Sequence, residues 1–450
     1  MVDAVRRDRP PGPAARETRS PRPGVLGLAI VRDASVGLPR LAAARGDVAI
    51  ARVGPRRIVL VNEPAAIRDV LVGTAGTFTK GGSLRGLRTL LGEGLITSDG
   101  EAHARQRRAL RGHFGQAHAT MWAAPITEAI WRRTARWQPG EVLDLEAEML
   151  ALSLDVTLRT LFHGERSHAE LDRVQVAVAV MNELSTLASL PGLRLWARMP
   201  LPPVLRFRRA RDDVRDWARA LIAERRQQAE PPADVLDAIL RSSGATADDA
   251  LGGAIDQVVT ILVAAHVTTG HALGRAVDCL ARDPVAAEAL AAEATDAQAR
   301  GSMLDARHLP YGRAVFAEAL RLFPPAWVIG RQAGGPNYLG GTRIHGSDLV
   351  LASPFVTHRD PRWFDRPDEF WPERWLADDR PSPINYFPFG LGARRCPGEA
   401  LAWTEGVLVL ALLASAWRFE PLTARPAGLR SGITLSARGG LPIRVHRRPS

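Results

Sequence analysis

Phe389-Gly-Leu-Gly392-Ala-Arg394-Arg-Cys396-Pro-Gly398 is the stretch on which the reading of this chain turns, and a hydrophobic, helix-like run follows it directly. Gly390, Gly392 and Gly398 let the backbone turn tightly there and bring N–H groups near the sulfur of Cys396. Donors so placed restrain the charge of a thiolate, and Phe389 is positioned to pack beside it and keep water away. The bland alternative is a buried, inert cysteine. A dinucleotide fingerprint fails, because Arg395 stands at the place of its third glycine and no strand-like run leads in. Zinc is disfavoured, since Cys279 is the only other cysteine and no ligand cluster surrounds Cys396. The residues suit a single soft, strongly donating ligand on an iron porphyrin, where an axial thiolate favours O–O cleavage.

The run resembles the cysteine loop of the cytochrome P450 superfamily, F-x-x-G-x-R-x-C-x-G. Phe389, Gly392, Arg394, Cys396 and Gly398 meet every fixed position. The resemblance spans roughly residue 24 to the C-terminus and implies a haem-thiolate monooxygenase with haem b bound by Cys396. It further implies that His103 and Arg107, four apart on one helix face, join Arg331 and Arg394 in neutralising the haem propionates.

Glu318-Ala-Leu-Arg321 places opposite charges at i and i+3. A solvated surface pair would be worth little, but Ala314, Val315, Leu320, Leu322 and a closing Pro324-Pro325 favour burial. The segment looks like the family's E-x-x-R helix, and Phe370-Trp-Pro372-Glu-Arg374-Trp375 looks like its partner. Glu318, Arg321 and Arg374 would then form a buried structural triad that fixes the approach to the cysteine loop. His358 fits the same pattern as a structural loop residue.

Ala264-Ala265-His266-Val267-Thr268-Thr269 resembles the oxygen-activating helix. Ala264 and Ala265 would leave room over the iron, and Thr268 would supply a hydroxyl that both accepts and donates. Val267 is the departure, because it stands where the family has an acid and cannot carry a proton. Proton delivery must then use water or a group outside the motif, or else the oxidant arrives already reduced. His266 would point away from its neighbours' face. A peroxide-driven, oxidative-coupling or rearranging haem-thiolate enzyme is therefore the first rival, and a non-enzymatic haem sensor or carrier the second.

The 450 residues, 46% hydrophobic, are enough for one core able to enclose a large cofactor. Two cysteines among 450 residues argue against a disulfide framework and fit a reducing cytoplasm. The net charge of +11 is almost wholly arginine, with Lys80 the only lysine. The arginines are spread along the chain without an aromatic-interleaved basic motif, which argues against nucleic acid. Residues 1–23, rich in Arg and Pro, read as a disordered tail that is neither signal peptide nor anchor. The apolar run 407–417 is too short to span a bilayer.

A mainly α protein with small β-sheets is expected, as one large domain over residues 24–450 enclosing haem. Strands are expected at 47–53 and 57–61, helices at 63–72, 124–137, 147–161, 169–187, 210–228, 254–280 and 310–322. A long loop is expected over 77–97, a break or mobile lid at 190–203, and irregular sequence from 323 to the cysteine loop. The resemblance implies a small apolar substrate such as a terpene or fatty acyl chain. Its pocket would draw on residues 84–95, 181–193, 259–263, 326–329 and 433–435. It also implies a monomer served by a separate ferredoxin and ferredoxin reductase, no redox module being fused, with Arg105, Arg108, Arg111 and Arg395 as the docking patch.

Overall fold

The computed structural model describes residues 23–73, 77–81, 87–88, 91–115, 118–188, 201–243, 248–303, 305–377 and 381–449. The expected tail, all but its last residue, and residues 190–200 of the expected lid lie outside them.

Two helices, α1 (Pro23–Arg32) and α2 (Ala34–Arg45), open the fold, and the Asp33 carboxylate caps the second by accepting from Ser35 N at 3.0 Å. The expected strands are β1 (Val48–Val53) and β2 (Arg56–Val61), paired antiparallel from Val48↔Val61 to Val53↔Arg56. α3 (Pro64–Leu71) buries Ala66, Ile67, Val70 and Leu71. Inside the expected loop 77–97, Phe78–Thr79 instead forms a short strand, β3.

Then come α4 (Gly100–Leu110), α5 (Ala119–Thr134), β4 (Val142–Asp144), α6 (Leu145–Leu161) and α7 (His168–Ala188). α8 (Pro202–Gln227) begins inside the proline cluster that reads as an interruption. Proline is favoured in the first turn, where its missing N–H is no loss and its fixed φ already suits the helix. α9 (Val235–Ser243) leads to α10 (Asp248–Arg282), the 35-residue centre of the molecule. α10 packs on α6, and a Cβ at Gly270 would lie 2.8 Å from the Leu150 Cα, so a side chain there would force the helices apart. α11 (Pro284–Ala299) and α12 (Pro310–Leu322) follow, the latter with the expected limits.

The stretch expected to be irregular holds β5 (Ile329–Ala333), β6 (Asn337–Leu339), β7 (Thr342–Ile344), β8 (Leu349–Ala352) and α13 (Pro354–Thr357). After the cysteine loop, α14 (Glu399–Ala416) leads to β9 (Trp417–Pro421), β10 (Leu429–Ser431), β11 (Leu435–Ala437) and β12 (Pro442–Arg447). The largest sheet runs β1-β2-β8-β5-β3, with β2 parallel to β8 (Ile58↔Leu349). β8 pairs with β2 and β5 with β3, both far back along the chain, so these short strands carry little local signature, while β6 and β7 form a local hairpin.

One core cluster takes in α5, α6, α10, α12 and α14, and two smaller clusters lie under the sheet. α14 starts well before the apolar run 407–417. Leu251–Arg282 and Glu399–Ala416 are both long and apolar enough to cross a membrane, and both have most of their apolar window buried in the protein.

Candidate active site

The cysteine loop is a tight turn joined to α14. Gly390 and Gly392 both take φ +70°, and Gly390 N donates to Phe387 O at 3.0 Å. Cys396 N donates to Phe389 O at 2.8 Å, which closes the loop. A Cβ at Gly392 would lie 2.5 Å from the Leu71 carbonyl oxygen, so this position demands glycine for both backbone angle and space. Phe389 packs on Trp403 with ring centroids 5.8 Å apart. Burial pushes the Cys396 thiol up to about 11, against the Gly398 amide, which hydrogen-bonds the sulfur, and the charges of Arg107 and Arg395. Coordination to a metal ion would deprotonate such a thiol outright.

Cys396 opens onto a cavity of about 380 Å³. The same cavity is lined by His103, Arg107, Arg331, Phe389, Arg394 and Gly398, and by Ala264, Ala265 and Thr268 of α10. Residues from widely separated stretches of sequence thus meet around one space. Val267 is buried in the core and does not line it, and neither does His266, whose Nδ1 lies 2.6 Å from Leu262 O. The Thr268 hydroxyl donates to Ala264 O at 2.8 Å and keeps its lone pairs for a donor.

One end of the cavity is strongly cationic. α4 supplies His103 and Arg107, β5 supplies Arg331, and the cysteine loop supplies Arg394. Lys80 joins them, its Nζ donating to Leu95 O at 2.9 Å and Ser98 O at 2.8 Å. Asp99 pairs with Arg394 and accepts from Lys80 N at 2.9 Å. Burial, then the charge of Arg394, pulls Lys80 down to about 7. Burial, then Lys80, pulls His103 to about 4, and burial, then Arg394, pulls Arg331 to about 10. Arg394 Nη1 is buried with no hydrogen-bond partner among the described residues. Cations that depress one another around an unsatisfied guanidinium suit an anion with more than one negative charge, as the two propionates of a haem would supply.

Behind the cavity, Glu318 and Arg321 of α12 are wholly buried. Arg321 grips both carboxylate oxygens at 2.9 Å and turns its remaining donors to the carbonyls of His358, Pro367 and Glu369. Glu318 also accepts from Trp371 N at 2.9 Å, Arg374 Nε at 3.1 Å and Trp375 Nε1 at 2.8 Å. His358 Nε2 in turn accepts from Phe387 N at 2.9 Å, and burial, then Arg321, holds the imidazole well below its usual range, hence neutral. The network therefore reaches the residue two positions before Phe389.

Of the expected pocket segments, Leu95, Thr260, Ile261, Ala326 and Ile329 line the cavity. Met181, Asn182 and Ile433–Leu435 do not, and residues 84–86, 89–90 and 189–193 lie outside the described part. Two charged lining residues escaped the sequence reading: Lys80, whose signal was its being the lone lysine, and Glu405, an acid inside the apolar helix after the cysteine.

A sequence profile of the family described as Cytochrome P450 matches residues 36–438. The chain is 34% identical to cyclooctatin synthase of Streptomyces melanosporofaciens over 88% of this chain and 87% of that protein. It is 33% identical to cyclooctat-9-en-7-ol 5-monooxygenase of the same organism, covering 84% of each. Pentalenene oxygenase of Streptomyces avermitilis is 32% identical, over 86% of this chain and 88% of the other. Among solved structures, a cytochrome P450 from Thermus thermophilus superposes with a TM-score of 0.76 at 28% identity, covering 93% of this chain and 96% of that one.

Proposed function

The chain belongs to the cytochrome P450 family and is a haem-dependent monooxygenase, and from that premise we propose that it oxidises a terpenoid hydrocarbon skeleton at the cavity beside Cys396. The observation that carries this reading is the convergence, on one cavity, of a lone thiol, a cluster of cations and an aliphatic wall ending in the Thr268 hydroxyl.

Cys396 would supply the thiolate that holds haem b. His103, Arg107, Arg331 and Arg394 would hold the propionates, with Lys80 beside them. Phe389 shields the sulfur, and the Gly398 amide tempers its charge. The bound haem supplies the radical and dioxygen chemistry, while the protein orients the substrate and excludes water. Leu95, Ile96, Ile261, Ala326 and Ile329 offer apolar surface with few polar groups, which suits a hydrocarbon skeleton. Ala264 and Ala265 leave space, and Thr268 holds a proton-transferring hydroxyl at the reacting end. Three relatives carry names that speak of cyclooctatin, cyclooctat-9-en-7-ol and pentalenene, and they support a place in secondary metabolism.

Electrons come from a separate ferredoxin and its reductase, to a monomeric enzyme in the cytoplasm. Arg105, Arg108 and Arg111 are exposed on and just beyond α4, and Arg395 is exposed on the cysteine loop although held by Glu399. They form the docking face. The decisive experiment is the spectrum of the reduced, carbon-monoxide-bound protein. A thiolate-type Soret band is expected, and Cys396→Ser should abolish it; a spectrum indifferent to that change would overturn the assignment.

A further inference from the structure

Away from Cys396, a second cavity of about 170 Å³ lies where the C-terminal ends of α10 and α14 meet the start of α11 and β9. Its walls are largely aliphatic, with Leu280 and Ala281 from α10, Ala287 from α11, and Leu410, Leu413 and Ala414 from α14. The two helices that line the Cys396 cavity thus line this one too, but more than a turn further along, and the two cavities share no lining residue.

Two donors in the second cavity stand without acceptors. Trp417 is 2% exposed, and its Nε1 is buried with no hydrogen-bond partner among the described residues. Its ring is held in place, since Trp137 packs on it at 5.4 Å and the Arg447 guanidinium lies over it at 5.1 Å. Arg448 donates to Glu288 through both Nη1 and Nη2 at 2.9 Å, and its buried Nε is likewise unpartnered among the described residues. A buried donor without an acceptor carries the full cost of its lost hydration, which an incoming oxygen would relieve.

The lining also restricts what that oxygen belongs to. Arg418 and Arg448 are matched in number by Glu288 and Glu420, so an anion finds no net positive charge here. The aliphatic walls disfavour a molecule with many polar groups. A hydroxyl would bring a proton of its own to pair, whereas a carbonyl oxygen only accepts. The volume is close to the ~150 Å³ of an apolar cavity able to take up benzene.

We propose that this cavity is a second binding site, for an uncharged, ring-sized apolar molecule bearing a carbonyl oxygen, with Trp417 Nε1 and Arg448 Nε as the donors that hold it. The site stands apart from the substrate cavity and does not depend on the haem-thiolate reading.

Acetophenone serves as the probe, and toluene as its counterpart without the oxygen. The chain has 11 tryptophans, and in enzyme labelled with 5-fluorotryptophan the fluorine resonance lost on Trp417→Phe belongs to Trp417. If Trp417→Phe fails to accumulate, the resonance displaced by Ala287→Leu identifies it instead. In the haem-loaded, reduced, carbon-monoxide-bound enzyme, acetophenone should move that resonance saturably. Toluene should need about tenfold more, as the loss of one buried hydrogen bond implies. Ala281→Leu fills the cavity from α10 and should abolish the response while the carbon-monoxide spectrum stays unchanged. Should that variant not accumulate, Ala287→Leu fills the cavity from α11 to the same end. A Trp417 resonance indifferent to acetophenone would overturn the proposal, as would equal binding of toluene or a response that survives the filled cavity.

Discussion

Thr268 and Lys80 carry the sharpest consequences of single side chains. Thr268 offers a hydroxyl already tied to Ala264 O, so Thr268→Ala removes a proton-passing group without opening the core. Product per dioxygen should fall severalfold while the carbon-monoxide spectrum holds, and an oxygen electrode with product analysis measures both. Lys80 is held at about 7 in the folded, haem-free protein, against 10.5 in an unfolded chain. Between those values the unfolded state binds the extra proton, so the unfolding free energy of the haem-free protein should rise with pH across that window. Lys80→Met should flatten the rise, as urea titrations at a series of pH values would record. Propionates beside Lys80 should restore its charge, so haem binding near neutral pH should take up a proton.

At the level of elements, the network around Glu318 joins α12 to the segment that leads into the cysteine loop. Arg321, Arg374, Trp371 and Trp375 all converge on one carboxylate. Glu318→Gln strands two buried guanidinium groups, and such a break costs about 3–5 kcal/mol. The expected phenotype is lost haem and a lowered Tm rather than slower chemistry, and haem occupancy measured with thermal unfolding separates the two. Gly392 works at the same level, since its φ is +70° and a Cβ there would lie 2.5 Å from the Leu71 carbonyl oxygen at the end of α3. An L-residue there bears about 1–2 kcal/mol of backbone strain before any clash is counted.

Across the whole molecule, two members of the polar end of the cavity, His103 and Arg107, share the short helix α4 with exposed arginines. His103 and Arg107 face the cavity, while Arg105 and Arg108 face outward. The helix therefore couples the cofactor edge to the surface where an acidic carrier would dock. Arg108→Glu with Arg111→Glu should slow ferredoxin-driven reduction about tenfold at low ionic strength, an effect that shrinks as salt screens it. Stopped-flow reduction with and without added salt tests this, and the carbon-monoxide spectrum should not change.

Cys396, Glu318, Arg321, Thr268 and His103 with Arg107 were readable from a linear string because each sits in a short motif whose spacing is local. The long helices were equally readable, since a 3.6-residue period repeats many times within α10 or α6. Three further facts depended on packing. Strands β5 and β8 exist through pairing with each other and with β3 and β2, residues far away along the chain. Lys80 and Glu405 belong to the cavity only because the fold brings the chain just after β3 and the first turns of α14 to the same space as α10 and α4. Whether a lone charge faces solvent or a cofactor depends on what surrounds it, and burial, unlike helical period, is a property of neighbours that the linear order does not contain.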